Sequence, residues 1–140
     1  MTRDFPAGLE SLYEALEFVR HAAIEAGLDP RDAQGLELAL EEILVNVCNY
    51  AYEPGQEGLM RIRVGAEEGR VVVEVEDWGR EFTPPRGGPA AHEATCVDEA
   101  PIGGLGVFLA GQMLDELTYR REEQRNIVRM TMRTPSCGAV

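Results

Sequence analysis

Histidine and cysteine are scarce in this chain of 140 residues, at two and three. Cys48, Cys96 and Cys137 show no metal-ligand spacing and leave an odd count for pairing. They read as reduced thiols of a cytosolic protein, not as a disulfide or zinc framework. His21 and His92 both lack the helical-hairpin context of a phospho-accepting histidine and read as solvated or packed imidazoles. Basic residues are also short: Lys+Arg is 13 against 25 Asp+Glu, a formal net charge of −12. Such a chain repels nucleic-acid backbones and acidic membrane surfaces, which argues against direct partners of either kind. No run approaches the ~18 apolar residues of a membrane span, and the opening MTRDFPAGLESLYEAL has no apolar signal core. There is no internal repeat. The expectation is a soluble, cytoplasmic, single domain over residues 1–140, large enough to fold without staples.

What is present is ordered in blocks. After a short extended start, residues 9–27 carry apolar side chains at helical spacing (Leu12, Leu16, Val19, Ala23, Ile24) and stop at a glycine. A second helix begins near Asp29-Pro30 and ends around Glu53-Pro54-Gly55. From Gly58 the period changes to two. Met60, Ile62 and Val64, then Val71, Val73 and Val75, alternate with polar positions around a turn at Ala66-Glu67-Glu68-Gly69. Residues 83–102 lose periodicity and are rich in Pro, Gly and Ala, the composition of a functional lid. A helix over 103–114 and a closing hairpin around Glu122-Glu123-Gln124-Arg125 follow. Hairpins without crossover helices predict an α+β two-layer sandwich, a mainly antiparallel mixed sheet with helices on one face.

Three clusters stand out. In the apolar segment 36–52, Glu42, Asn46 and Asn49 are spaced to share one helical face. Buried polar groups need partners, so the stripe must face another polar element, a water-filled cleft or a ligand. The strand ending at Glu76 runs into Asp77-Trp78-Gly79, where a carboxylate beside a glycine suits either an ordinary turn or a planar amine ligand. Gly103, Gly104 and Gly106 open a helix, as either a phosphate cradle or a close packing contact, without the Lys-Ser/Thr ending of a Walker loop.

In order and spacing the three clusters resemble the GHKL (Bergerat-fold) ATPase superfamily, and within it the anti-sigma serine protein kinases. Glu42-x-x-x-Asn46 followed by Asn49, Tyr50, Ala51 and Tyr52 resembles the family's Asn box. Asp77-Trp78-Gly79 with Phe82 and Pro84 resembles its first glycine box, and Gly103-Gly104-Leu105-Gly106 with Asp115-Glu116 the second. The resemblance implies a Bergerat-type fold that binds ATP and Mg²⁺ and phosphorylates a serine on an anti-anti-sigma (STAS-like) partner. It also implies a homodimer that sequesters a sigma factor. By the same resemblance Glu42 would be the general base, Asn46 the metal ligand and Asn49 a neighbour of the phosphates. Asp77, Gly79 and Phe82 would line the adenine pocket, and Gly103, Gly104, Leu105 and Gly106 would hold phosphates. A nucleotide-binding module without kinase activity and the catalytic module of a split histidine kinase are the alternatives. The pattern departs from the family at Trp78, often polar or basic in relatives, and at Asn126-Ile127-Val128, which replaces a Gly-Thr-Thr-Val and removes a hydroxyl expected near adenine. Arg86 and Arg80 are the obvious cations in and just before the lid. Arg120, Arg121 and Arg125 read as a solvated turn.

Overall fold

A computed structural model of the chain describes residues 1–81 and 114–135. The lid over 83–102, the second glycine cluster and most of the helix expected over 103–114 lie outside the described residues. Helix α1 is Leu12–Glu25, entered through a single 3-10 turn at Leu9–Ser11. It ends where Gly27 takes φ +110°, with Leu28 N–H donating to the Ala23 carbonyl (3.0 Å) and Gly27 N–H to Ile24 (3.0 Å). That glycine-capped turn satisfies carbonyls the helix end leaves open. Helix α2, Pro30–Asn46, starts with Pro30 in its first turn and with the Asp29 carboxylate accepting from Arg31 N–H at 2.8 Å. Both features suit a helix N-terminus, where N–H groups lack partners.

Strands β1 (Thr2–Pro6), β2 (Leu59–Glu67), β3 (Arg70–Asp77), β4 (Glu116–Glu122) and β5 (Arg125–Arg133) form one sheet in the order β1-β2-β3-β5-β4. Every pairing among them is antiparallel, so the mixed sheet expected from the sequence is wholly antiparallel in the described residues. The extended start is a full edge strand, with Phe5 opposite Met60. Both hairpins turn on two residues of positive φ, Glu68-Gly69 (46° and 79°) and Glu123-Gln124 (50° and 67°), the conformation whose twist matches paired strands.

The helices cover one sheet face. Met60, Ile62, Val64, Val71, Val73, Val75, Val128, Met130 and Met132 meet Leu16, Val19, Leu36, Leu40 and Leu44 in a single core. Each fully buried aliphatic side chain there contributes about 1.5–3 kcal/mol of transfer free energy. The opposite face is a lattice of charges. Glu76, which alternation alone places toward solvent, is 1% exposed, its Oε2 accepting from Arg125 Nη1 (2.6 Å) and paired with Arg63 Nη1 (3.2 Å). Arg129 bridges Glu74 (3.4 Å) and Glu67 (3.1 Å) beside it. Long arginine stems over the sheet supply the cover that a helix supplies on the other side.

Candidate functional site

The end of α2 does not continue as an α-helix. Residues Val47–Ala51 form a π-helical turn, whose wider winding shifts every later side chain around the axis. Glu42 is half-buried, Asn46 is buried at 8% exposure and Asn49 is exposed. The regular stripe expected from spacing is therefore broken after Asn46, because α-helical phase is lost at Val47. Glu42 and Asn46 keep their four-residue relation on α2.

This irregular helix end is fastened to the end of β3. Arg80 N–H donates to the Ala51 carbonyl at 2.8 Å. The Tyr52 hydroxyl donates to the Leu59 carbonyl (2.7 Å) and accepts from Trp78 N–H (2.8 Å); burial raises the pKa of that hydroxyl. Gly79 lies so close to Ala51 that an added Cβ would overlap the Ala51 carbonyl. The glycine thus serves a close approach between two backbones. The element carrying Glu42 and Asn46 and the one carrying Asp77 are held together by a main-chain hydrogen bond, the Tyr52 hydroxyl and the close approach of Gly79 to Ala51.

Asp77, 3% exposed, sits at the last position of β3. Its Oδ1 accepts from Gly79 N–H (2.9 Å) and from Asn126 Nδ2 (2.8 Å). Asn126, 1% exposed on the facing position of β5, also donates to the Arg80 carbonyl at 2.8 Å. Its Oδ1 accepts from the Tyr119 hydroxyl (2.7 Å) and Arg121 Nη1 (3.1 Å), and Arg121 reaches on to the Gly79 carbonyl (3.0 Å). Arg121 and Arg125 are thus not a solvated turn: one braces the first glycine box and the other pairs with Glu76, because β4 and β5 aim them across the sheet at β3. Trp78, 40% exposed, lies beneath the Arg61 guanidinium, 5.4 Å from the ring centroid. The sequence marks Asn126 only as a departure from the family pattern and Arg121 only as part of a turn, and Tyr119 carries no signal of its own. The available signal was Asn126 itself, a polar residue on the strand face that otherwise carries Val128, Met130 and Met132.

Phe82, Gly103, Gly104, Leu105 and Gly106 lie outside the described residues. Within the described residues no group of three or more His, Cys, Asp or Glu is placed to hold a metal.

Burial raises the pKa of Asp77 above its ordinary value of 3.8, opposed by the Asn126 and Gly79 hydrogen bonds and by the Arg121 charge. The folded chain therefore holds this proton to higher pH than the unfolded chain does. The contribution to stability is complete below the unfolded value and is lost as pH rises through the folded one, leaving ionised Asp77 a cost to the fold at neutral pH. Asp77→Asn is accordingly expected to melt no lower than wild type at pH 7. Scanning calorimetry on the two proteins checks this; a clearly lower melting temperature for the variant at pH 7 contradicts it.

Residues 5–132 match the family described as Histidine kinase-like ATPase domain. The chain belongs to that family. Among its curated relatives, the serine-protein kinase RsbW of Bacillus licheniformis is 32% identical over 99 residues, covering 68% of this chain and 61% of the relative. The serine/threonine-protein kinase BtrW of Bordetella bronchiseptica is 25% identical over 118 residues, 84% of this chain and 82% of the relative. The chain thus spans about 61% of the length of the RsbW relative it matches. Among solved structures, the Erythrobacter litoralis EL346 blue-light activated histidine kinase superposes with a TM-score of 0.62 at 19% identity, over 97% of this chain and 44% of that one. The Acinetobacter baumannii histidine kinase AdeS gives 0.54 at 12% identity, over 96% of this chain and 68% of that one. These share the α+β fold of an ATPase domain, and no helix among the described residues is long and apolar enough to cross a membrane.

Proposed function

We propose that this protein is an ATP-dependent serine protein kinase of the anti-sigma type, acting in the cytoplasm as a homodimer on a STAS-like anti-anti-sigma partner and sequestering a sigma factor. The observation that carries the reading is the fastening of the Asn46-bearing helix end to the Asp77-bearing strand end through Ala51, Tyr52 and Gly79. One side of that junction offers a carboxylate acceptor for a base amine, and the other a carboxylate and an amide for phosphate chemistry. Relatives named serine-protein kinases add the acceptor class.

In this reading Asp77 would orient the adenine, Asn46 would hold Mg²⁺ through its amide oxygen, and Gly103–Gly106 would contact phosphates. The cation, when bound, would supply neutralisation of phosphate charge. Glu42 takes the proton of the attacking serine hydroxyl. The serine oxygen then forms its bond to the terminal phosphorus as the bond to the bridging oxygen breaks and ADP leaves. Labelled ATP incubated with the chain and its cognate STAS-like protein is expected to give acid-stable phosphoserine on the partner. Absence of transfer despite ATP binding would favour a non-catalytic nucleotide module, and acid-labile label a histidine kinase component; either result overturns the proposal.

A further inference from the structure

Asn126 departs from the family pattern, yet it is among the most completely engaged side chains of the described residues. Its orientation follows from its neighbours. The Arg80 carbonyl can only accept and the Arg121 guanidinium can only donate, so the amide nitrogen must face Arg80 and Asp77, and the amide oxygen must face Arg121 and Tyr119. Asp77 Oδ1 is then held by two obligate donors, Asn126 Nδ2 and Gly79 N–H. An oxygen in that position cannot carry a proton. Both side-chain bonds of Asp77 among the described residues go to Oδ1, so Oδ2 is the oxygen left for a ligand.

We propose that Asn126 is a specificity-determining positioning residue: clamped by Tyr119 and Arg121 on β4, it fixes Asp77 with Oδ2 presented as an acceptor, and so selects a 6-amino purine nucleotide over a 6-oxo one. This rests on the nucleotide-binding reading of Asp77. The selection follows from hydrogen-bond polarity. An ionised Oδ2 accepts from an amine but meets an oxo group lone pair to lone pair, whereas a protonated Oδ2 would donate to the oxo group. Burial disfavours the ionised form, and the two donors on Oδ1 and the Arg121 guanidinium act against that penalty, so the ionised acceptor depends on the Asn126 clamp. The partners that hold Asn126 on its oxygen side come from the adjacent strand β4.

The test is the ratio of ATP to inosine triphosphate affinity, measured by calorimetry with Mg²⁺ on wild type and Asn126→Asp. The substitution keeps the shape, removes both N–H donors and sets a second carboxylate against Asp77. Wild type is expected to prefer ATP, and the variant to lose about tenfold of that preference. A merely structural role weakens both nucleotides by the same factor; an unchanged ratio alongside weaker binding of both overturns the inference while leaving nucleotide binding intact. Failure of wild type to bind either nucleotide sinks the underlying reading instead. Should Asn126→Asp fail to fold, Arg121→Met, at a half-buried edge-strand position, carries the same measurement: a lowered ratio supports the clamp, and an unchanged one overturns it.

Discussion

Replacing Glu42 by glutamine is expected to slow serine phosphorylation by about 10²–10⁴-fold while ATP binding stays within about threefold of wild type. The substitution preserves volume and polarity and removes only the ability to accept a proton. Glu42 suits that role because its carboxylate is half-buried on α2 four residues before Asn46 and makes no hydrogen bond or ion pair among the described residues. A carboxylate held in an ion pair, as Glu76 is by Arg125, would be a poor proton acceptor. Single-turnover phosphorylation at saturating ATP separates the chemical step from binding. A normal rate in Glu42→Gln would remove Glu42 as the base and leave the nucleotide site untouched, whereas loss of ATP binding would place the residue in binding.

The second large effect is structural. Gly79→Ala is expected to lower stability by about 3 kcal/mol, or roughly 10 °C in melting temperature for a chain of this size. The added methyl group would overlap the Ala51 carbonyl, which is backbone and which already accepts from Arg80 N–H at 2.8 Å. It cannot swing aside as a side chain can. To admit the methyl group, the end of α2 must leave β3, opening the Arg80–Ala51 bond and disturbing the Gly79 N–H donated to Asp77. ATP binding should fall with stability, since both halves of the junction move. Gly65→Ala is the control: nothing lies within 4 Å of the Cβ it would gain. Differential scanning calorimetry decides the matter, and equal melting temperatures for the two variants would show that the junction gives way cheaply.

The sequence made the local elements legible because their signals are local. Val71, Val73 and Val75 announce a strand by period two, Asp29-Pro30 a helix start, and Glu68-Gly69 a tight turn. Glu42 and Asn46 stand out as polar residues in an apolar helix, and both lie on α2, four positions apart. Other features depend on long-range register. Nothing local says that Asp77 will face Asn126, 49 positions away, or that Glu76 will be roofed by Arg63 and Arg125. The π-turn at Val47–Ala51 escaped for a related reason: its residues have ordinary helical composition, and only docking against β3 reveals the extra residue in the turn. Of the residues assigned by resemblance, Asp77 and Gly79 belong to the junction, whereas the fate of Asn49 depended on that turn.

The lattice of charges on the open face of the sheet carries one more consequence. Every cation in it is an arginine, and the whole chain contains no lysine. Guanidinium groups hold their protons far into the alkaline range, where ammonium groups give theirs up. Amine-directed reagents likewise find no target side chain there, so acylating labels and cross-linkers will leave the roof over Glu76 chemically intact, and that face must be mapped with chemistry aimed at guanidinium or carboxylate groups.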